Sequence, residues 1–269
     1  MVGVSLFKVS VDLRLTFHRR MWSNGSGHLL HLGIDQIPRN NVPDNILCDN
    51  FPLLKFYIYK HRTQECGPIN SLIRVPDVQP AAFDLLVQFV SCDDIGLKDD
   101  PKEEKITSIL AMIEAARHLQ YPLLGSLIAR MVSKLESILR SDHLALKAAH
   151  IREAYYLRED GEPIQDLFVK ASVRRFMVCK DDDFNYQFED DEDDEMTAAQ
   201  QAAYSGSGFV FSQVMKRFPQ FERALWSEVW KCLRQREERI VRPKRGKTEE
   251  ESVPLFTDPL NPRGKLFRL

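Results

Sequence analysis

The stretch IRVPDVQPAAFDLLVQFV at residues 73–90 constrains the fold more than any other part of the chain. Residues 72–75 predict a short strand, because branched apolar side chains suit a half-buried sheet. Asp77 is expected to cap a following helix, and Pro80 suits the first helical turn, where no N–H donor is required. The apolar residues that then share one helical face are Phe83, Leu86, Val87 and Val90. The stretch therefore predicts a strand that turns sharply into an amphipathic helix.

The N-terminal region alternates between apolar and polar residues. Every odd position from Phe7 to Phe17 is apolar and every residue between them is polar, which predicts a half-buried strand. WSNGSG at 22–27 is typical of a turn, and HLLHLGI at 28–34 resumes the extended pattern, so we predict a hairpin. DQIPRNNVPDN, with two prolines, is predicted to be a loop. For ILCDNFPLLKFYIYK the sequence allows a helix that starts at Pro52 or a strand at its end.

Apolar residues three and four positions apart predict five further helices. These helices cover positions 106–113, 124–138, 144–155, 164–171 and 221–233. Pro122 separates the first two, Ser141 or Asp142 is expected to cap the third, and Gly161 ends it. Pro163 and Pro219 are expected to begin the last two helices.

Two charged segments lie near the C-terminus. The acidic run at 181–195 predicts a disordered insert spanning 179–208, with binding of a basic partner as the alternative. The basic segment RPKRGK at 242–247 is compatible with a nuclear-import signal, with a phosphate contact or with loose pairing to the acidic run. The segment 238–269 as a whole is predicted to be a flexible charged tail.

Composition and motifs argue against enzymatic chemistry. The net charge is −2, and the five scattered cysteines form no C-x-x-C pair, so we expect reduced thiols and an intracellular, cytoplasmic or nuclear protein. No apolar run approaches the length of a membrane span. Nucleotide-binding, hydrolase and metalloprotease motifs are missing, and His28 and His31 point to opposite faces of the predicted strand. We predict no catalytic, cofactor-binding or metal-binding residue and no small-molecule substrate, specific nucleic acid or membrane as a partner.

The stretch at 73–90 resembles the signature of the BTB/POZ family, in which a strand leads through Asp-Val-x-Pro-x-x-Phe into a helix. ILAMIEAARHLQYPLLGSLI is similar to the next helical pair of that family, and IREAYYLREDGEPIQDLFVKASV resembles the helical extension of its fungal members. The positions that match the family signature, read as structural residues, are Asp77, Val78, Pro80, Phe83, Leu86, Phe89, Ala116, Leu119 and Leu124.

The resemblance implies an α+β fold, a BTB/POZ-like small sheet flanked by helical hairpins, with an additional α-helical C-terminal extension. It implies a BTB/POZ-like domain at 7–140, a helical extension at 141–178 and a last helix of that extension at 209–237. Its functional implication is a non-enzymatic protein-interaction module that acts as a substrate adaptor of a cullin-linked ubiquitin ligase. The expected partners are a cullin scaffold or another BTB chain.

Two groups of residues are predicted to form a protein interface. Phe56, Tyr57 and Tyr59 belong to a run of four large apolar residues that cannot all face one core. Val90, Asp93 and Asp94 lie in the helix and loop that the resemblance implies for cullin docking. The alternative function is a nuclear chromatin- or transcription-associated factor that acts through its acidic and basic tail segments.

Overall fold

The computed structural model describes residues 27–33, 35, 37–63, 72–97, 100–178, 209–240, 255–256, 258–260 and 267–268. These residues are mostly helical with small sheets, which makes the chain an α+β protein. The contacts between Cα atoms divide the chain into two compact units. The first unit contains residues 1–100 and 108–127, and the second contains residues 101–107 and 128–269. The helices that cover residues 102–141 therefore contribute residues to both units.

The described elements follow one another in a simple order. The strands are β1 (Gly27–Leu32), β2 (Ile37–Pro43), β3 (Leu72–Val75), β4 (Leu255–Phe256) and β5 (Phe267–Arg268). The helices are α1 (Asp44–Asn50), α2 (Pro52–Thr63), α3 (Pro80–Cys92), α4 (Lys102–His118), α5 (Leu124–Ser141), α6 (Ala148–Tyr156), α7 (Glu162–Val178), α8 (Ser212–Arg217) and α9 (Pro219–Ile240). Two 3₁₀ turns, His143–Ala145 and Arg158–Gly161, flank α6.

The sheet of the first unit has the strand order β2–β1–β3. β1 runs antiparallel to β2 and parallel to β3, so β1 is the central strand. The predicted loop at 35–45 was wrong, because residues 37–43 form β2. Proline lacks the N–H that a central strand would need, but Pro38 and Pro43 belong to the edge strand, where one side of the backbone needs no partner.

The ambiguous stretch at 46–60 is helical. Pro52 begins α2, which agrees with the helical alternative, and α1 precedes it. Leu54 and Ile58 are one turn apart in α2 and are fully buried, together with Phe51 before it. The side-chain spacing of α2 is thus that of an amphipathic helix, although its sequence contains four consecutive large apolar residues.

The predicted turn from strand to helix is present, but Asp77 does not cap α3. The N-cap is Gln79, which makes no side-chain capping bond, and Pro80 is the first helical residue as predicted. Asp77 precedes the N-cap by two residues, so its exposed carboxylate lies outside capping reach and instead approaches His118 Nε2 at 3.7 Å. Rigid proline geometry, rather than a side-chain bond, begins this helix.

The core of the first unit collects apolar residues from its helices and from the sheet. The Phe51 ring lies 6.1 Å from the rings of both Phe83 and Tyr121, measured between centroids. The sheet contributes four buried residues to the core: Leu30, Leu32, Ile73 and Val75. The aromatic residue that follows α4 therefore packs on the segment that joins α1 to α2.

In the second unit, the expected cap of the helix at 144–155 differs from the structure. Asp142 accepts the backbone N–H of Leu144 at 3.0 Å and caps the 3₁₀ turn, while α6 begins later at Ala148 with Lys147 as its N-cap. The prediction merged the turn and the helix because their apolar residues continue one period. Gly161 ends the second 3₁₀ turn, and Pro163 lies in the first turn of α7 as predicted.

The segment 238–269 contains more structure than a flexible tail. α9 continues to Ile240, and β4 pairs antiparallel with β5. Phe256 and Leu260 are buried, so these two residues pack against the rest of the second unit, which the prediction of a charged tail did not include. Two apolar residues of this charged segment are therefore buried, and the composition of the segment does not predict this. The strand predicted at 7–17, the turn at 22–26, the acidic insert at 179–208 and the basic segment at 242–247 lie outside the described residues.

Candidate protein-interaction surface

Helix α2 exposes aromatic side chains on the side opposite its buried residues. Phe56 is 59% exposed and Tyr59 is 52% exposed, whereas Leu54 and Ile58 are fully buried. Phe56 and Tyr59 are three residues apart, so they are neighbours on the helix surface. We call Phe56, Tyr57 and Tyr59 the α2 aromatic surface.

Tyr57 contacts the exposed ring of Phe56 within this surface. Tyr57 is half-buried, and its ring meets that of Phe56 edge-on with 5.9 Å between the centroids. Lys55 and Lys60, both exposed, lie on the same helix beside the two exposed rings. The α2 aromatic surface thus combines apolar area with adjacent positive charge, a composition that suits an acidic or aromatic partner segment.

The second predicted group lies at the C-terminal end of α3. Asp93 is exposed and adopts a left-handed conformation with φ of 56°, and its backbone N–H donates to the Phe89 carbonyl at 2.7 Å. The carboxylate of Asp94, also exposed, accepts the backbone N–H of Ile95 at 2.8 Å. Val90 is half-buried. The backbone of Asp93 and the carboxylate of Asp94 are therefore both fixed by hydrogen bonds at the end of α3, where the two exposed acidic residues form a negative surface.

The signature positions are mainly core residues. Val78, Phe83, Leu86, Phe89, Ala116 and Leu119 are buried. Pro80 and Leu124 are half-buried, and Asp77 is exposed. These positions shape the first unit and position α3, and the predicted interface residue Val90 is the half-buried end of the same apolar face of that helix.

The second unit contains an aromatic cluster that the sequence did not reveal as a unit. Tyr155 packs on Phe218 with 5.1 Å between centroids and meets Phe221 edge-on at 6.2 Å. Burial, with a further contribution from Asp166, raises the pKa of Tyr155 to about 12. Arg217 donates a hydrogen bond to the Tyr156 hydroxyl and lies over the rings of Tyr156 and Phe218. Adjacent tyrosines in one helix and a Phe-Pro-x-Phe entry into another were the available signals.

His150 is the buried titratable side chain that sequence reasoning missed. It is 2% exposed, and its Nδ1 accepts the backbone N–H of Lys147 at 3.1 Å. The ring proton is therefore on Nε2, which donates to Thr107 Oγ1 at 3.0 Å, and Thr107 in turn donates to the Glu103 carbonyl. The pKa of His150 is lowered to about 4, mainly by burial; the charge of Glu103 opposes this shift and that of Lys147 adds to it. A neutral histidine thus joins α4 to the start of α6.

The described part of the chain was compared with the requirements of a metal-binding group and of a membrane-spanning helix. No three or more His, Cys, Asp or Glu side chains come together there in a metal-binding group. No helix among the described residues combines the length and apolar character needed to cross a bilayer.

No family model matches the chain, and no curated protein matches its sequence.

Proposed function

We propose that the chain is a non-enzymatic protein-interaction module of the BTB/POZ type that acts as a substrate adaptor on a cullin scaffold. The observation that carries the proposal is the α2 aromatic surface, where two aromatic side chains are more than half exposed on a helix whose other side is fully buried. Large exposed aromatic residues on a rigid element are typical anchors of protein interfaces.

The arrangement of elements supports the family assignment. A β-hairpin is followed by a helix pair, by a strand that pairs parallel to the first hairpin strand, and by a helix that starts through the Val-x-Pro turn. A further helix pair, α4 and α5, comes next. A small sheet accompanied by paired helices is what the resemblance to the BTB/POZ family implies.

Two surfaces have separate roles in this proposal. Asp93 and Asp94 at the end of α3 contact the cullin, and the α2 aromatic surface contacts a second copy of the chain or the protein to be modified. Negative charge at the first surface and apolar area at the second make the two contacts chemically distinct. The two roles can therefore be tested by different substitutions.

The test measures both contacts with the full chain. Binding to a purified cullin scaffold is followed by biolayer interferometry, and self-association by sedimentation velocity. The variant Asp93→Asn with Asp94→Asn removes both charges and keeps a side chain that tolerates the left-handed conformation of residue 93. We expect it to weaken cullin binding about tenfold or more, in line with about 1.4 kcal/mol per factor of ten.

The aromatic arm uses the variant Phe56→Ser with Tyr59→Ser. We expect it to abolish self-association or capture of the protein to be modified and to leave cullin binding unchanged. The matched control, Leu123→Ser with Leu144→Ser, removes two other exposed apolar side chains. Cross-linked affinity purification that recovers neither a cullin nor a second copy of the chain would overturn the proposal.

The alternative function is a nuclear factor that acts through the acidic run at 181–195 and the basic segment at 242–247. Its support is the sequence of those two segments. Deletion of 242–247 in a fluorescently tagged full chain should move the protein out of the nucleus if this segment is an import signal. A chain that is not nuclear before or after the deletion would remove this alternative.

A further inference from the structure

Part of the C-terminal segment is buried against the second unit. Phe256 is 1% exposed and Leu260 is 4% exposed, four residues apart in a segment joined to α9 by residues 241–254. β4 extends along α9 and pairs with β5. Two apolar anchors at short spacing, embedded in charged and proline-containing sequence, are a common form of a peptide that docks on a folded surface.

Polar contacts hold the same segment in one register. Arg140 at the end of α5 donates from Nε to the Leu260 carbonyl at 2.7 Å. Its Nη2 donates to the Glu136 carboxylate. Asp258 accepts the backbone N–H of Leu260 at 2.9 Å, across Pro259, so the peptide forms its own turn. The segment thus brings a preformed turn to the surface, which lowers the entropy cost of binding.

The surface beneath the segment is formed by the end of α5 and by α9. Arg140 on α5 binds the backbone of Leu260, and β4 contacts α9, the helix that carries the buried Cys232. Burial raises the pKa of Cys232 to about 11, with Glu228 and then Asp258 adding to the shift. We call the surface formed by Arg140 and α9 the tail groove.

We propose that the tail groove is a peptide-binding site for a segment of another protein with the pattern Phe-x-Asp-Pro-Leu, and that the chain's own residues 256–260 occupy it in cis. The groove belongs to the second unit, and its role does not rest on the α2 aromatic surface or on a cullin. The occupying segment itself specifies the ligand: an aromatic anchor, an Asp-Pro turn and a leucine whose carbonyl meets Arg140.

A partner peptide fits this site better than the tail of a second copy. Exchange between two copies would only rebuild the same contacts, and the attached tail competes at an effective concentration on the order of millimolar. Exchange would therefore need a protein concentration of that order. A partner segment that adds contacts outside the groove can displace the tail at a lower concentration, so the attached tail acts as an inhibitor that a specific partner removes.

The test uses the full chain and a fluorescein-labelled peptide with the sequence of residues 253–262. The variant Phe256→Ala with Leu260→Ala removes both anchors of the attached tail and leaves the groove itself intact. By fluorescence anisotropy, we expect this variant to bind the peptide at least tenfold more tightly than the wild-type chain does. A peptide in which the same Phe and Leu are replaced by Ala should not bind.

Arg140→Ala, added to the same variant, should weaken peptide binding by about tenfold. Arg152→Ala on α6, an exposed arginine, is the matched control and should leave peptide binding unchanged. Equal affinity of the variant for the two peptides, or no gain over the wild-type chain, would overturn the proposal. So would a wild-type dimer in sedimentation velocity that the Phe256→Ala and Leu260→Ala substitutions abolish, because the groove would then hold a second copy.

A second variant covers the case in which the first one does not fold. A protease recognition site replaces residues 243–249, and the purified chain is cleaved after folding. We expect an excess of unlabelled peptide to release the C-terminal fragment in size-exclusion chromatography, while the remaining chain keeps its helical circular dichroism. A fragment that resists displacement, or a cleaved chain that unfolds, would show that the tail is an integral part of the core and would contradict the proposal.

Discussion

Exposed aromatic residues in the two units differ in whether their contacts come from the same helix or from a distant part of the chain. In the first unit, the ring that meets exposed Phe56 edge-on is that of Tyr57, the next residue in the chain. In the second unit, exposed Tyr156 is bound by Arg217, which is 61 residues away, and its ring lies 5.9 Å from that of Phe218. Aromatic residues that fold back on distant parts of the chain stabilise a tertiary structure, whereas a local aromatic pair on a helix surface remains available to a partner.

The largest expected difference concerns aromatic truncation. Phe221 in the second unit is fully buried and contacts Tyr155, so Phe221→Ala should lower the free energy of unfolding by about 4 kcal/mol. Phe56→Ala in the first unit should change it by about 0.5 kcal/mol or less, because the ring is mostly exposed. Urea unfolding followed by circular dichroism measures both. A large loss from Phe56→Ala would show that the α2 aromatic surface stabilises the fold.

The buried histidine of the second unit, His150, makes the stability of the chain depend on pH. The pKa of His150 is lowered to about 4, against 6.5 in the unfolded chain, so between these values the unfolded chain binds a proton that the folded chain does not. Stability from this group is therefore complete above pH 6.5 and is lost as the pH falls toward 4, by about 3 kcal/mol in total.

The variant His150→Gln isolates this effect. At pH 7 it should be less stable than the wild type, and the difference should shrink by about 3 kcal/mol by pH 4, since the wild type alone loses the histidine contribution. Urea unfolding at pH 7, 5.5 and 4 measures the difference, in which the carboxylates common to both chains cancel. Arg152→Gln, which changes an exposed side chain on the same helix, is the control and should keep the wild-type profile. A constant difference between wild type and His150→Gln would refute the assignment.

Two glycines form the next pair. A Cβ on Gly161 would collide with the Ala154 carbonyl oxygen and would lie 2.9 Å from Leu157 Cβ. Gly161→Ala should therefore destabilise the chain by about 2 kcal/mol, because backbone atoms must move. Gly125 lies in the first turn of α5, where a Cβ would meet no atom within 4 Å, so Gly125→Ala should stabilise the chain by about 0.5 kcal/mol. Thermal unfolding of both variants should show shifts of opposite sign, and shifts of the same sign would contradict the packing around Gly161.

The smallest expected effect is a pairwise coupling. A double-mutant cycle with Arg217→Ala and Tyr156→Ala should give a coupling of about 0.5–1 kcal/mol, as for an exposed cation–π contact. The corresponding cycle for Asp77 and His118, whose side chains are 70% and 38% exposed, should give a value near zero, because solvent screens the pair. Equal coupling energies in the two cycles would show that the Arg217–Tyr156 contact is no stronger than the solvent-screened pair of Asp77 and His118.

Local pattern accounts for most of the secondary structure. The strand at 72–75, the helix that starts at Pro80 and the break at Pro122 agree with prediction, because proline and apolar spacing act within a few residues. The same local rules were wrong for β2, where Pro38 and Pro43 suggested a loop. An edge strand accepts proline, and strand order is a property of the whole sheet.

The candidate surfaces were predictable to different degrees. The exposure of Phe56 and Tyr59 follows from four consecutive apolar residues in one helix, since only some of them can face a core. The hydrogen bond between His150 and Thr107 and the one between Arg140 and Leu260 join residues that are 43 and 120 positions apart, and no local pattern encodes such pairs.

The sequence by itself determined where most helices and the central turn lie, that the chain is an α+β protein, and that the four adjacent large residues at 56–59 cannot all face one core. Tertiary structure alone decided which histidine is buried, which tyrosine is bound by an arginine, and that Phe256 and Leu260 are buried. The reason is that periodicity acts over one or two turns of backbone, whereas burial depends on which distant segments exclude water from the same side chain.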